Sequence, residues 1–266
     1  MAFIQRGAGQ PIVLVPGIQG RYEWQLPTVD ALATLSQVTT FSLCDEPTSG
    51  FAWTEAAGFE NYVTQLGEVL RDTGATRPLL VGISYGGLVA AEYAARHPGA
   101  LSGLVIASAP PPGWTLPARA QRYLRAPRIM TPAFLLGAPA RLYPELRAAF
   151  PDASDFWRFV THHSLRVLAA PPSTPRMARR LRWLTASRFS TGRPIPVPAL
   201  IVTGEAALER VVPPLDTLRY REWLPHAHVA TLAHTGHSGT VTRAGDFARL
   251  VADFITSRSV RADRVS

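Results

Sequence analysis

Ser84 is the residue in this chain best placed to act as a nucleophile. It lies in Gly82-Ile83-Ser84-Tyr85-Gly86, directly after the apolar run Leu79-Leu80-Val81 and before a helix-period stretch over residues 86–96. A strand that runs through a sharp turn into a helix strains the serine and projects its Oγ from the C-terminal edge of a sheet. Flanking glycines relieve the crowding of such a turn, and the turn aims the helix N-terminus and the Tyr85 amide at any developing oxyanion. A serine of this kind needs a base. Of the seven histidines, His237 in Thr235-Gly236-His237-Ser238 sits on a loop between the last strand-like run and the last helical pattern. His234 precedes the glycine, and His162 and His163 fall in a stretch with no strand pattern. The chemistry this pairing suggests is nucleophilic acyl transfer.

The elements that would position these residues alternate along the chain. Short apolar runs over residues 11–15, 38–44, 78–83, 101–107, 199–203 and 227–232 suit strands buried on both faces of a parallel sheet. Helical patterns separate them, over residues 60–72, 86–96, 214–223 and 244–257. Strands and helices in alternation predict a mostly parallel α/β sheet covered by helices on both faces, with right-handed crossovers. Before Pro11 there is room for one short strand, over residues 3–6. The alternation breaks between about 110 and 198, where Pro, Arg, Leu and aromatics dominate and helical patterns recur near 117–125, 155–169 and 176–186. Prolines crowd the entrance (Pro110, Pro111, Pro112) and the exit (Pro194, Pro196, Pro198). The expected division is therefore a core of residues 1–110 and 198–266 with an inserted helical lid over 111–197.

With these motifs in place the chain resembles the α/β-hydrolase superfamily, from roughly residue 3 to 255 with the lid interrupting the likeness. The resemblance places the catalytic histidine on the loop after the last strand, which is where His237 falls. In the family one strand ends in His-Gly, and the next residue's amide is the second oxyanion donor. Here Val15-Pro16-Gly17-Ile18-Gln19-Gly20 keeps the glycine but has Pro16 for the histidine. Backbone donation from Ile18 does not need that histidine, so the resemblance implies an oxyanion hole of the Ile18 and Tyr85 amides.

The acid departs from the family pattern, which is commonly Gly-Glu-x-Asp, two or three residues, then Val-Pro. This chain reads Gly204-Glu205-Ala206-Ala207-Leu208-Glu209-Arg210-Val211-Val212-Pro213. Counted forward, the aspartate position holds Ala207; counted back from Val211-Val212-Pro213, it holds Glu209. Glu209 is favoured, because a glutamate reaches one methylene further than an aspartate, and Glu205 is the alternative. The order Ser84, Glu209, His237 is that of the fold.

What the resemblance implies is a serine hydrolase acting on small carboxylic esters without metal or organic cofactor. Carbon–carbon hydrolysis of the meta-cleavage type, with the same three residues, is the runner-up. A ligand receptor on the same scaffold is a third reading. Aromatic and aliphatic residues of the lid, with Trp157 and Phe134 foremost, are candidates to line a substrate pocket.

Charge adds one further expectation. All 27 basic residues are arginine, and residues 114–193 hold fourteen of them against Glu145, Asp152 and Asp155, a net of +11 beside −3 elsewhere. Arg122, Arg125 or Arg180 facing the cleft would favour anionic substrates. The cluster Arg176-Met177-Ala178-Arg179-Arg180-Leu181-Arg182-Trp183 is read as a solvated helical face and not as a nucleic-acid site. The single cysteine, Cys44, excludes an internal disulfide or a cysteine metal cluster, and no apolar run is long enough to span a bilayer. Residues 1–10 lack the pattern of a secretory leader, so a cytoplasmic setting is expected. Oligomeric state is left open.

Overall fold

A computed structural model describes residues 1–190 and 193–262 of the chain; residues 191–192 of the expected lid and 263–266 of the expected core lie outside them. Seven strands form one sheet: β1 (Phe3–Arg6), β2 (Pro11–Val15), β3 (Gln37–Phe41), β4 (Leu79–Ile83), β5 (Gly103–Ala107), β6 (Ala199–Thr203) and β7 (His228–Thr231). Their order is β1-β3-β2-β4-β5-β6-β7, with β1 antiparallel to β3 and every other pairing parallel. The neighbouring strands β4, β5 and β6 are buried at every position, in keeping with their largely Leu, Ile and Val content. β7 is different. It is the edge strand, and His228, Val229 and Thr231 are exposed, so the run over 227–232 is not buried on both faces as its composition suggested.

Helices cover both faces of the sheet. On one side α1 (Leu26–Ala33) contributes Val29 and Leu32, and α11 (Ala244–Ala262) contributes Phe247, Val251 and Phe254, packed on Ile12, Leu14, Val81 and Val105. On the other, α2 (Glu60–Asp72) and α3 (Tyr85–Arg96) bring Tyr62, Leu66, Leu88 and Val89 against Val13, Leu80, Leu104 and Ile201. Five helices lie between β5 and β6: α4 (Ala118–Arg125), α5 (Thr131–Leu136), α6 (Ala138–Ala149), α7 (Ala153–Ala169) and α8 (Thr174–Ala186). After β6 come α9 (Pro214–Leu218), extended by a 3-10 turn over Arg219–Glu222, and, after β7, α10 (Gly239–Thr242). Four helices escaped the sequence reading: α1, α5, α6 and the four-residue α10. α1 is only eight residues long with Pro27 in its first turn, and α5 and α6 also carry prolines at their starts. Proline is tolerated in a first turn, where its missing N–H is not needed, but it reads as a breaker in a sequence pattern.

α8 is tied to the loop after β3 by a buried ion cluster. Arg180 of α8 is fully buried, and its Nη2 lies 2.6 Å from both Asp45 Oδ1 and Glu46 Oε1 while its Nε donates to Asp45 Oδ1 at 3.0 Å. Arg176 lies 3.3 Å from Glu46, and Arg179 donates to Asp45 at 3.2 Å while stacking over the Trp53 ring at 4.3 Å. Burial opposes the Arg180 charge, but Asp45 and Glu46 outweigh it and raise its pKa further. Arg180→Met is accordingly expected to lower the unfolding free energy by about 3–5 kcal/mol, because two buried carboxylates lose their one fully buried partner and keep only the more exposed Arg176 and Arg179. Urea unfolding of the two proteins measures this, and an unchanged midpoint would contradict it.

Candidate active site

The turn from β4 into α3 holds Ser84 in a backbone conformation few residues adopt. Its φ of 52° and ψ of −120° place it in a strained region for a side chain with a Cβ. The strain is sustained by neighbours. The Ser84 amide donates to the Ala107 carbonyl at 2.8 Å, at the end of β5. A Cβ on Gly82 would fall 2.4 Å from the Gly87 Cα, and one on Gly86 would fall 2.2 Å from the Val15 carbonyl oxygen. Glycine at both flanks is therefore a packing requirement, since the helix must start directly against β2.

His237 reaches this turn from the loop after β7. Its Nε2 is 3.0 Å from Ser84 Oγ, and its Nδ1 is 3.3 Å from Glu209 Oε2. Glu209 sits on the loop after β6, with its side chain 1 % exposed. Its other oxygen accepts from the Val211 and Val212 amides at 2.7 and 3.1 Å, which orients the carboxylate toward the imidazole. An ionised carboxylate can only accept, so this network assigns the proton to Nδ1 and leaves the Nε2 lone pair facing Ser84.

The two groups shift each other. Burial pushes the Glu209 carboxyl upward, but the facing His237 and the three hydrogen bonds outweigh it and hold the pKa below its ordinary value. Burial likewise disfavours the His237 imidazolium, and the charge and hydrogen bond of Glu209, with the charge of Glu145, raise its pKa above the ordinary 6.5. Each group thus favours the charged form of the other.

Glu205, the alternative acid, is engaged elsewhere: its Oε1 accepts from the His234 amide at 2.7 Å. Ile18 lies on the loop after β2, beside Ser84; a Cβ on the preceding Gly17 would be 3.5 Å from the Ser84 Cβ. Arg180 holds that loop by donating from Nη1 to the Ile18 carbonyl at 2.6 Å. Tyr85 is buried at the start of α3, and its hydroxyl donates to the Arg180 carbonyl at 3.4 Å. One residue of α8 therefore contacts both residues expected to offer oxyanion amides.

The residues expected to bind substrate are placed less usefully. Trp157 is 63 % exposed, with its ring edge-on to Phe156. Phe134 packs against Tyr123 and lies beneath Arg141. Arg122 and Arg125 are exposed on α4. Arg180 does not face a cleft, and its charge is spent on Asp45 and Glu46 because burial demands pairing. A groove of about 370 Å³ opens against Glu209, lined also by Trp114, Thr115, Pro117, Arg210 and Val211, among others. Among the described residues no group of three or more His, Cys, Asp or Glu side chains is arranged to hold a metal ion. No helix among them is long and apolar enough to cross a membrane.

This geometry agrees with what the chain is similar to. Residues 12–250 match the model of the alpha/beta hydrolase family. The chain belongs to that family. A relative from Enterobacter cloacae named "Putative carbamate hydrolase RutD" is 26% identical over 257 residues, covering 94% of this chain and 92% of the relative. An esterase from Exiguobacterium antarcticum superposes with a TM-score of 0.76 at 18% identity, over 96% of this chain and 94% of that one. The meta-cleavage product hydrolase CumD from Pseudomonas fluorescens does so with a TM-score of 0.70 at 19% identity, over 96% and 93%. Likenesses at this identity speak for the fold, and the different reactions in those names show why they stop there.

Sequence reasoning missed three acids. Asp45 and Glu46 pair with an arginine about 135 positions away, which no local pattern announces. Glu145 accepts from the Ser238 amide at 2.7 Å, next to His237. Its one signal was scarcity, as one of only three acids in the arginine-rich stretch.

Proposed function

We propose that this hydrolase cleaves carboxylic esters through an acyl-enzyme on Ser84. The observation that supports it is the hydrogen-bonded chain Ser84–His237–Glu209 meeting at a strained strand-to-helix turn. Ser84 Oγ attacks the carbonyl carbon as its proton passes to His237 Nε2, and Glu209 steadies the imidazolium that forms. The Ile18 and Tyr85 amides take the oxyanion, and His237 returns the proton to the leaving alkoxide. Water then repeats the sequence on the acyl-enzyme, freeing the acid.

In this reading residues 111–197 form a cap over a core of 1–110 and 198–266, and the enzyme works in the cytoplasm on a small molecule without a cofactor. A negative charge on that molecule would be met by the exposed Arg122 and Arg125, since Arg180 is neutralised by Asp45 and Glu46. Hydrolysis of p-nitrophenyl esters of graded acyl length, compared with Ser84→Ala, tests the reading. Chain-length-dependent turnover lost in the variant supports it; equal rates in the two proteins would sink it. Aryl carbamates belong in the same panel, because a carbamate carbonyl is open to the same attack and the curated relative carries that name.

The pH dependence carries a second test. The base must be neutral to accept the serine proton, and its raised pKa means protonation sets in at higher pH than for a free imidazole. kcat/KM is expected to fall on acidification with an inflection above 6.5. An inflection below that value would show that burial outweighs Glu209 and Glu145 at the imidazole.

A further inference from the structure

α6 is a helix turned inside out. Leu142 and Tyr143 are exposed on it, while Glu145 is 4 % exposed. Burying a carboxylate in preference to leucine and tyrosine costs solvation that only specific partners can offset. Those partners are the amides on either side of His237. Glu145 Oε1 accepts from the Ser238 amide at 2.7 Å, and the Gly236 amide faces the carboxylate and favours its charged form. A helix inserted between β5 and β6 therefore grips the loop that carries the proposed base, across 93 positions of sequence.

We propose that Glu145 is a positioning residue for His237, clamping its loop through the two flanking amides and supplying a second negative charge beside Glu209. The inference rests on the Ser84–His237 reading above. His237 is then faced by Ser84 from the β4–α3 turn, by Glu209 from the loop after β6 and by Glu145 from α6. Other charged groups of the neighbourhood are engaged or exposed. Glu205 accepts from the His234 amide, Arg243 is held by Asp246 and reaches toward the Ala149 carbonyl, and Arg210 is exposed. Burial raises the Glu145 pKa, opposed by the two amides and by His237, so the pair works as a coupled unit in which imidazolium favours carboxylate.

The test avoids any need to know the substrate. A fluorophosphonate probe is attacked by Ser84 Oγ; a P–O bond forms, fluoride leaves, and the hydroxyl proton goes to His237 Nε2. The second-order labelling rate is measured against pH for wild type, Glu145→Gln and Glu145→Ala, with thermal unfolding of each as a check of folding. Glu145→Gln keeps an acceptor for the loop but removes the charge, so its acid limb is expected to move to lower pH by on the order of half a unit to one unit. Glu145→Ala also releases the loop, and its plateau rate is expected to fall about tenfold. Coincident acid limbs in wild type and Glu145→Gln would overturn the inference while leaving the serine hydrolase intact. A wild type labelled no faster than Ser84→Ala would overturn both.

Discussion

Replacing Ser84 by alanine is expected to lower kcat on a good ester substrate by up to ~10⁶-fold, with the fold and Tm close to those of the wild type. Loss of the nucleophile removes the covalent route, and what remains is polarisation by the backbone amides and binding alone. The side chain is dispensable to the fold. Its one described hydrogen bond is to His237, and the backbone turn that strains it is held by the Ala107 carbonyl and the packing of Gly82 and Gly86. Alanine keeps the Cβ, so the strain at φ 52° is unchanged. Steady-state kinetics beside a thermal melt separates the two effects. A residual rate within tenfold of wild type would mean that the reaction runs through another group.

Glu209→Gln is expected to cost about 10⁴-fold in kcat, and Glu205→Gln almost nothing. The difference lies in what each carboxylate touches. Glu209 accepts from His237 Nδ1 and is aimed there by the Val211 and Val212 amides. An amide in its place can present N–H to Nδ1, which favours the tautomer whose Nε2 already carries a proton and cannot take one from Ser84. Glu205 accepts from a backbone amide, and glutamine can do the same through its carbonyl oxygen. Single-turnover rates for both variants decide the matter, and the reverse ranking would hand the role to Glu205.

Much of this site was legible before any coordinate. Gly82, Ser84 and Gly86 declare a strand–turn–helix because each constraint acts between near neighbours in sequence. His237 was legible as the histidine on the loop after the last strand. The acid was half legible. Val211-Val212-Pro213 set a register, but two glutamates fitted some version of it, and only the folded loop aims one of them at the imidazole. Substrate contacts were not legible. Trp157 and Phe134 are aromatic residues in the right region, yet one is exposed and the other packs within its own helices. An amphipathic pattern tells which residues want burial and leaves open against what.

The sequence by itself determined the α/β alternation, the strand–turn–helix that carries Ser84, the loop that carries His237 and the run of helices between β5 and β6, since each is written in residues a few positions apart. The tertiary structure alone decided where the insertion's charges go. Arg180 reads as one of a row of surface arginines and is instead buried between Asp45 and Glu46; Glu145 reads as an incidental acid and is instead folded onto the loop of His237. The physical reason is common to both. A buried charge is stabilised by whichever partner the fold brings within about 3 Å, and that partner is chosen by the packing of whole helices on the sheet, at sequence separations no periodicity can encode.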